Sequence, residues 1–351
     1  MPTLGGHSGG GSPGPSPIPT PTPSPLPPGV TPAPTASPSP TPTPVYSIAP
    51  TSLPAGPKIY VANHGKEGTS PSVTIFAVAA SGDVAPLATL TGSHTNMQQI
   101  QFPGVDSAGN LFLSDAGSAS NATSGFVAIF GPTGQSGNQP PASSIANLAN
   151  PEGIAFDSGG NVYVAVAGEI LVYPPNPTAT SAPIRTLRGD ITSGEDIYGL
   201  AIDTSNRLYV AESDEVEVYA AGASGSAAPI QEFDLPSDPA SGLDSCLSVA
   251  VDSSADIYCA NFNNSTITEY AAGSTGTSVT PMLAASDLSK TSIDEPFGIF
   301  IDNSNSVYVA NYGNSSVAVF ATNGALAAGT ATRLISGTTT GLNFPYGIFV
   351  R

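Results

Sequence analysis

Side chains able to do chemistry are few and unevenly spread along the 351 residues. Three histidines occur, His7, His64 and His94, and the first lies in a proline-rich opening stretch. Imidazole titrates nearest neutrality, so His64 or His94 beside a carboxylate would have the makings of a general base. Histidines without a role are nonetheless commoner in exposed loops. Beyond residue 57 there is no G-x-S-x-G nucleophile motif and no glycine-rich phosphate loop leading into a helix. Oxygen donors dominate instead. The 26 Asp and Glu against 8 Lys and Arg give a formal net charge of −18. That balance argues against a nucleic-acid partner, because phosphate binding rests on clustered Lys and Arg. No run approaches the roughly 18 apolar residues of a membrane-spanning helix.

Two very different stretches would position these groups. Residues 1–57 contain no Asp, Glu, Lys or Arg, and 19 of them are proline. Proline at alternate positions fixes φ and removes backbone donors, so neither helix nor sheet can form. The stretch predicts a disordered Pro/Ser/Thr/Gly-rich tether, extended and solvated. A stiff neutral spacer suits a stalk, and so points to an extracytoplasmic protein, secreted or displayed at a cell surface. It resembles the stalks that follow the lipid-modified cysteine of bacterial surface lipoproteins, with His7 where that cysteine would stand.

From Lys58 onward one pattern recurs six times: IYVAN at Ile59, LFLSD at Leu111, VYVAV at Val162, LYVAE at Leu208, IYCAN at Ile257 and VYVAN at Val307. Its aromatic (Tyr60, Phe112, Tyr163, Tyr209, Tyr258, Tyr308) returns every 46–52 residues. Six residues before five of these stands an acid, Asp106, Asp157, Asp203, Asp252 or Asp302, closing a short apolar strand. Asp accepts hydrogen bonds from its own turn, and Gly109, Gly160, Asn206 and Asn305 tolerate positive φ; together they predict hairpins. Ala255 holds that place in the fifth repeat and predicts strain or a different turn. A third strand ending in Phe or Tyr and a weaker fourth complete each unit. Four antiparallel strands in about 50 residues is propeller spacing. The expectation is an all-β, six-bladed β-propeller over residues 58–351. PYGIFVR (Pro345–Arg351) matches PFGIFID (Pro296–Asp302) and supplies the inner strand that the first blade lacks, closing the ring.

The units resemble NHL repeats, whose first strand is led in by P-x-G. That lead-in stands here as Pro151-Glu152-Gly153, Pro296-Phe297-Gly298 and Pro345-Tyr346-Gly347. The resemblance implies that the lead-in and the turn after the second strand share a top face, which carries ligands. There it would gather the ligand-binding candidates Asn63, Asp115, Glu212, Asn261 and Asn311, with His64 beside them. It also makes Glu152, Asp244 and Glu295 candidate ligands for Ca²⁺ or another divalent cation, as in calcium-dependent six-bladed lactonases. Propeller lyases that pair His with Glu and a metal are the parallel for His64 or His94. Such repeats serve lyases, lactonases and pure binding scaffolds alike, so the fold does not decide the activity. With no assembled catalytic constellation, the reading is a monomeric, non-catalytic module recognising a protein, glycan or small ligand at the top face. The alternative is a divalent-metal-dependent lyase or lactonase at the axial funnel.

Pairing the fifth hairpin about its Asp252–Asp256 turn sets Val249 opposite Cys259 and Phe262 opposite Cys246. The two cysteines then fall on opposite sheet faces, which predicts free thiols. The Tyr and Phe that recur at fixed places predict packing between blades rather than sugar binding.

Overall fold

The computed structural model describes residues 52–351, except 67–68, 119–123, 190–196, 213–214, 234–244, 277–278, 288, 290 and 322. Nearly all of the tether, and Asp244, therefore lie outside the described residues. The remainder forms six four-stranded antiparallel sheets, the blades of a propeller. The sixth blade shows the pattern: an inner strand Pro296–Ile301, a second strand Val307–Asn311, a third Ser316–Phe320 and a short outer strand Arg333–Ile335.

Each Asp turn follows from its sequence. Asp302 Oδ1 accepts the amides of Ser304 (2.8 Å) and Ser306 (3.0 Å), and Asn305 closes the turn at φ 58°. Asp106, Asp157, Asp203 and Asp252 each accept two amides of their own turn in the same way. Ala255 adopts φ 67°, the strained left-handed conformation its place in the repeat demands.

Six apolar clusters hold the ring, and each joins two neighbouring blades. Tyr209 of the fourth blade packs with Val249 and Ile257 of the fifth, and Tyr308 of the sixth with Ile59 and Ile348 of the first. The recurring aromatics are thus wedges between blades, each burial contributing roughly 2–3 kcal/mol. The first blade is completed by Pro345–Val350, which pairs antiparallel with Lys58–Asn63 through Ile59↔Val350 and Val61↔Ile348. Lys58 and Arg351 exchange backbone hydrogen bonds at the end of that seam (2.6 and 3.0 Å).

A bulge recurs where the inner strands begin. Ile197 pairs with Glu212 but Gly199 with Ala211, so Tyr198 is the extra residue; Leu247, Phe297 and Tyr346 stand out of register in their own blades. This bulge corrects the thiol expectation. Val249 does face Cys259, but the extra Leu247 brings Cys246 opposite Asn261 rather than Phe262. The cysteines are then two positions apart on one face, with Cα atoms 5.5 Å apart, and form a disulfide.

The residues after the bulge are small because inner strands meet there. A Cβ on Gly199 would lie 2.6 Å from the Ser248 Cα, and one on Gly153 would lie 2.6 Å from the Tyr198 carbonyl. Counting back from the acid, Phe102 takes this place in the second blade. Its amide and carbonyl both bond Ser114 Oγ (2.9 and 3.2 Å), and its ring enters the axis.

Candidate functional site

The lead-ins and the ends of the second strands do meet at one end of the ring. His64 N donates to the Phe344 carbonyl (3.1 Å), Phe262 N to Ser245 (3.0 Å) and Tyr312 N to Glu295 (3.1 Å). The accepting residues Ser245, Glu295 and Phe344 all have positive φ, a costly conformation for such side chains. We call this the upper end of the axis.

Here the oxygens of three polar candidates, Asn63, Asp115 and Asn311, accept backbone amides. Asn63, Asp115, Glu212, Asn261 and Asn311 occupy the last position of their second strands and are all buried. Asn63 Oδ1 accepts the Asn343 amide (3.1 Å), and Asn311 Oδ1 accepts that of Asp294 (3.2 Å). Asp115 takes three amides, from Gln98, Gln99 and Gly117 (2.7, 3.0 and 2.8 Å). Burial still pushes its carboxyl above the usual range, opposed by those amides and by nearby His64. Asn261 donates to Thr266 and Thr268 (3.1 and 3.0 Å).

His64 is half-buried, stacked on Tyr346 with ring centroids 4.5 Å apart, and its Nδ1 lies 3.4 Å from the Ile100 carbonyl. His94 sits exposed in the short helix Ser93–Thr95, in the connection from the first blade to the second, its amide on Asn138 Oδ1 (2.7 Å). Of the metal candidates, Glu152 is buried, with Oε1 accepting from Asn150 Nδ2 (3.2 Å). Glu295 is half-buried, its amide donating to Ser265 Oγ (3.0 Å). Among the described residues, no three His, Cys, Asp or Glu side chains converge as a metal site.

What does converge is aromatic. Phe102, Leu247 and Phe297 form a buried cluster, joined by half-buried Tyr198, Phe262, Tyr312 and Tyr346. Tyr346 stacks on Phe297 with centroids 3.8 Å apart, and Tyr312 meets Tyr346 edge-on at 5.6 Å. Burial, then the neighbouring Tyr312, Glu152 and Tyr198, pushes the Tyr346 phenol up to about 12. Emphasis on polar residues misses this cluster in the sequence. Its signal is the middle residue of each lead-in, Phe297 or Tyr346 for example, because that residue becomes the bulge.

The lower end is a cavity of about 470 Å³ running up the axis from the Asp turns. Its walls mix apolar side chains, Phe156, Leu200, Ile202, Phe300 and Phe349 among them, with polar ones such as Ser248 and Arg351, and Phe102 lies between it and the upper cluster. The Asp carboxylates at its rim are tied into their own turns, and Asp203 and Asp302 also accept from Tyr209 (3.2 Å) and Tyr308 (2.9 Å).

No family model and no curated protein matches the chain. Solved structures do match. A protein of unknown function from Bacteroides caccae shares 10% identity at TM-score 0.57, covering 84% of this chain and 99% of that one. A protein from Lactobacillus plantarum shares 13% at TM-score 0.55 with the same coverages. A streptogramin B lyase structure shares 11% at TM-score 0.49, over 82% of this chain and 86% of that one. The likeness to the first two shows the fold.

Proposed function

We propose that the chain is an NHL-type propeller that acts as a non-catalytic recognition module, binding its ligand at the upper end of the axis. One observation carries this reading: half-buried rings from four blades (Tyr198, Phe262, Tyr312, Tyr346) crowd that mouth. Aromatic side chains offer large, rigid contact area and dominate binding energetics where they cluster. The positive-φ residues beneath them support the reading, because such strain collects at ligand clamps. Surface display or secretion is part of the proposal, and the disulfide favours it, since such bonds persist in oxidising compartments.

The test is ligand-observed NMR of the full chain against panels of glycans, peptides and small metabolites. Bound compounds should lose about tenfold or more in affinity with Tyr312→Ala. Hits indifferent to that change would place recognition elsewhere. Stoichiometric Ca²⁺ uptake, lost in Glu295→Gln, would instead favour the metal-dependent lyase or lactonase.

A further inference from the structure

The bulge position fixes what stands around the upper mouth. In four blades it holds Tyr346, Tyr198, Leu247 and Phe297, and these side chains from separate blades pack together. The position therefore faces the axis. In the second and third blades it holds Gln101 and Glu152, which are 7% and 6% exposed. The Gln101 Oε1 is a buried acceptor without a hydrogen-bond donor among the described residues. A buried acceptor left so costs free energy until a donor reaches it. Glu152 brings a negative charge close enough to act on the Tyr346 phenol. The rest of the wall is Leu247 and the rings of Tyr198, Phe297 and Tyr346, with His64 stacked on Tyr346.

Resting on the recognition reading above, we propose that this mouth binds a primary alkylammonium group, as carried by a free amine or a lysine side chain. Glu152 supplies the counter-charge, and the Gln101 carbonyl accepts an N–H. Tyr198 and Phe297 supply π-surface, to which an ammonium is drawn within about 6 Å, while Tyr346, stacked between His64 and Phe297, holds the wall in place. The net charge of −18 draws cations toward the protein as a whole. A quaternary ammonium fits less well, because it has no N–H for the Gln101 oxygen.

The experiment is an NMR titration of the full chain with n-butylammonium, N-acetyl-lysine methylamide, n-pentanol and butyltrimethylammonium. The two primary ammonium probes should bind saturably, the trimethylated one more weakly and the alcohol weakest. The tighter of the first two identifies the source of the head group. Glu152→Gln should weaken the primary ammonium about tenfold, and Gln101→Leu should erase its advantage over the trimethylated probe. Thermal melts of both variants keep misfolding apart from lost binding. Absent amine binding, alcohol binding as tight as the amine, or an unchanged affinity in folded Glu152→Gln each overturns the proposal. If Tyr312→Ala still abolishes binding of other ligands, the recognition reading survives that failure; if it does not, both fall.

Discussion

At the lower end of the axis five blades spend the same residue in the same way: an Asp whose carboxylate accepts two amides of its own turn. At the upper end the bulge position carries Tyr346, Gln101, Glu152, Tyr198, Leu247 and Phe297. One repeat unit builds both ends, so the difference separates two demands. A side chain that satisfies its own backbone must be the same in every blade, because every hairpin makes the same demand. A side chain that faces the axis beyond the bulge meets no such demand and is free to differ. Repetition marks the frame; on the recognition reading proposed above, variation marks the surface that chooses a ligand.

Three substitutions sharpen that contrast, from the largest effect down. Phe102 belongs to both ends, so Phe102→Ala should cost about 3–4 kcal/mol in urea unfolding, as large buried aromatics do. A cost under about 1 kcal/mol would mean that the ring carries little of the packing between the ends. Asp302→Ala removes two turn amide bonds and the Tyr308 hydroxyl bond from the frame. It should cost about 2 kcal/mol and leave ligand affinity at the upper end unchanged. A matching loss of affinity would break the separation of frame from surface. Ala255→Gly restores a residue suited to φ 67° and should raise stability by about 0.5–1 kcal/mol, read from the same unfolding curves. A loss of stability would show that the Ala255 methyl contributes packing that outweighs its strain.

The fold was legible because its information is local and repeated. The Asp turns, the wedge aromatics and the Pro345–Val350 match are all visible as periodic residues, and the blades stand where the period puts them. The cysteine pairing was misread for one physical reason: a bulge adds a residue without leaving a turn signal, so a count along the strands is off by one beyond Leu247. The surroundings of the candidate residues were hidden in the same way. Asn63, Asp115 and Asn311 read as ligands by type, yet the structure gives their oxygens to backbone amides of the lead-ins, a pairing that only three-dimensional packing reveals. The Phe297 and Tyr346 of the lead-ins were in plain view, but their facing the axis depends on that same extra residue.

The seam of the first blade has a consequence for the order of assembly. Ile59 meets its partner Val350 only after some 290 intervening residues have been arranged. During synthesis the second to sixth blades can each zip up as they emerge, since their strands are neighbours in sequence, while the first waits with an open edge. Contacts so distant along the chain are entropically slow to form. The final clasp is therefore the step at which a nascent ring is most exposed to pairing with a stranger, and the one a chaperone would have most reason to guard.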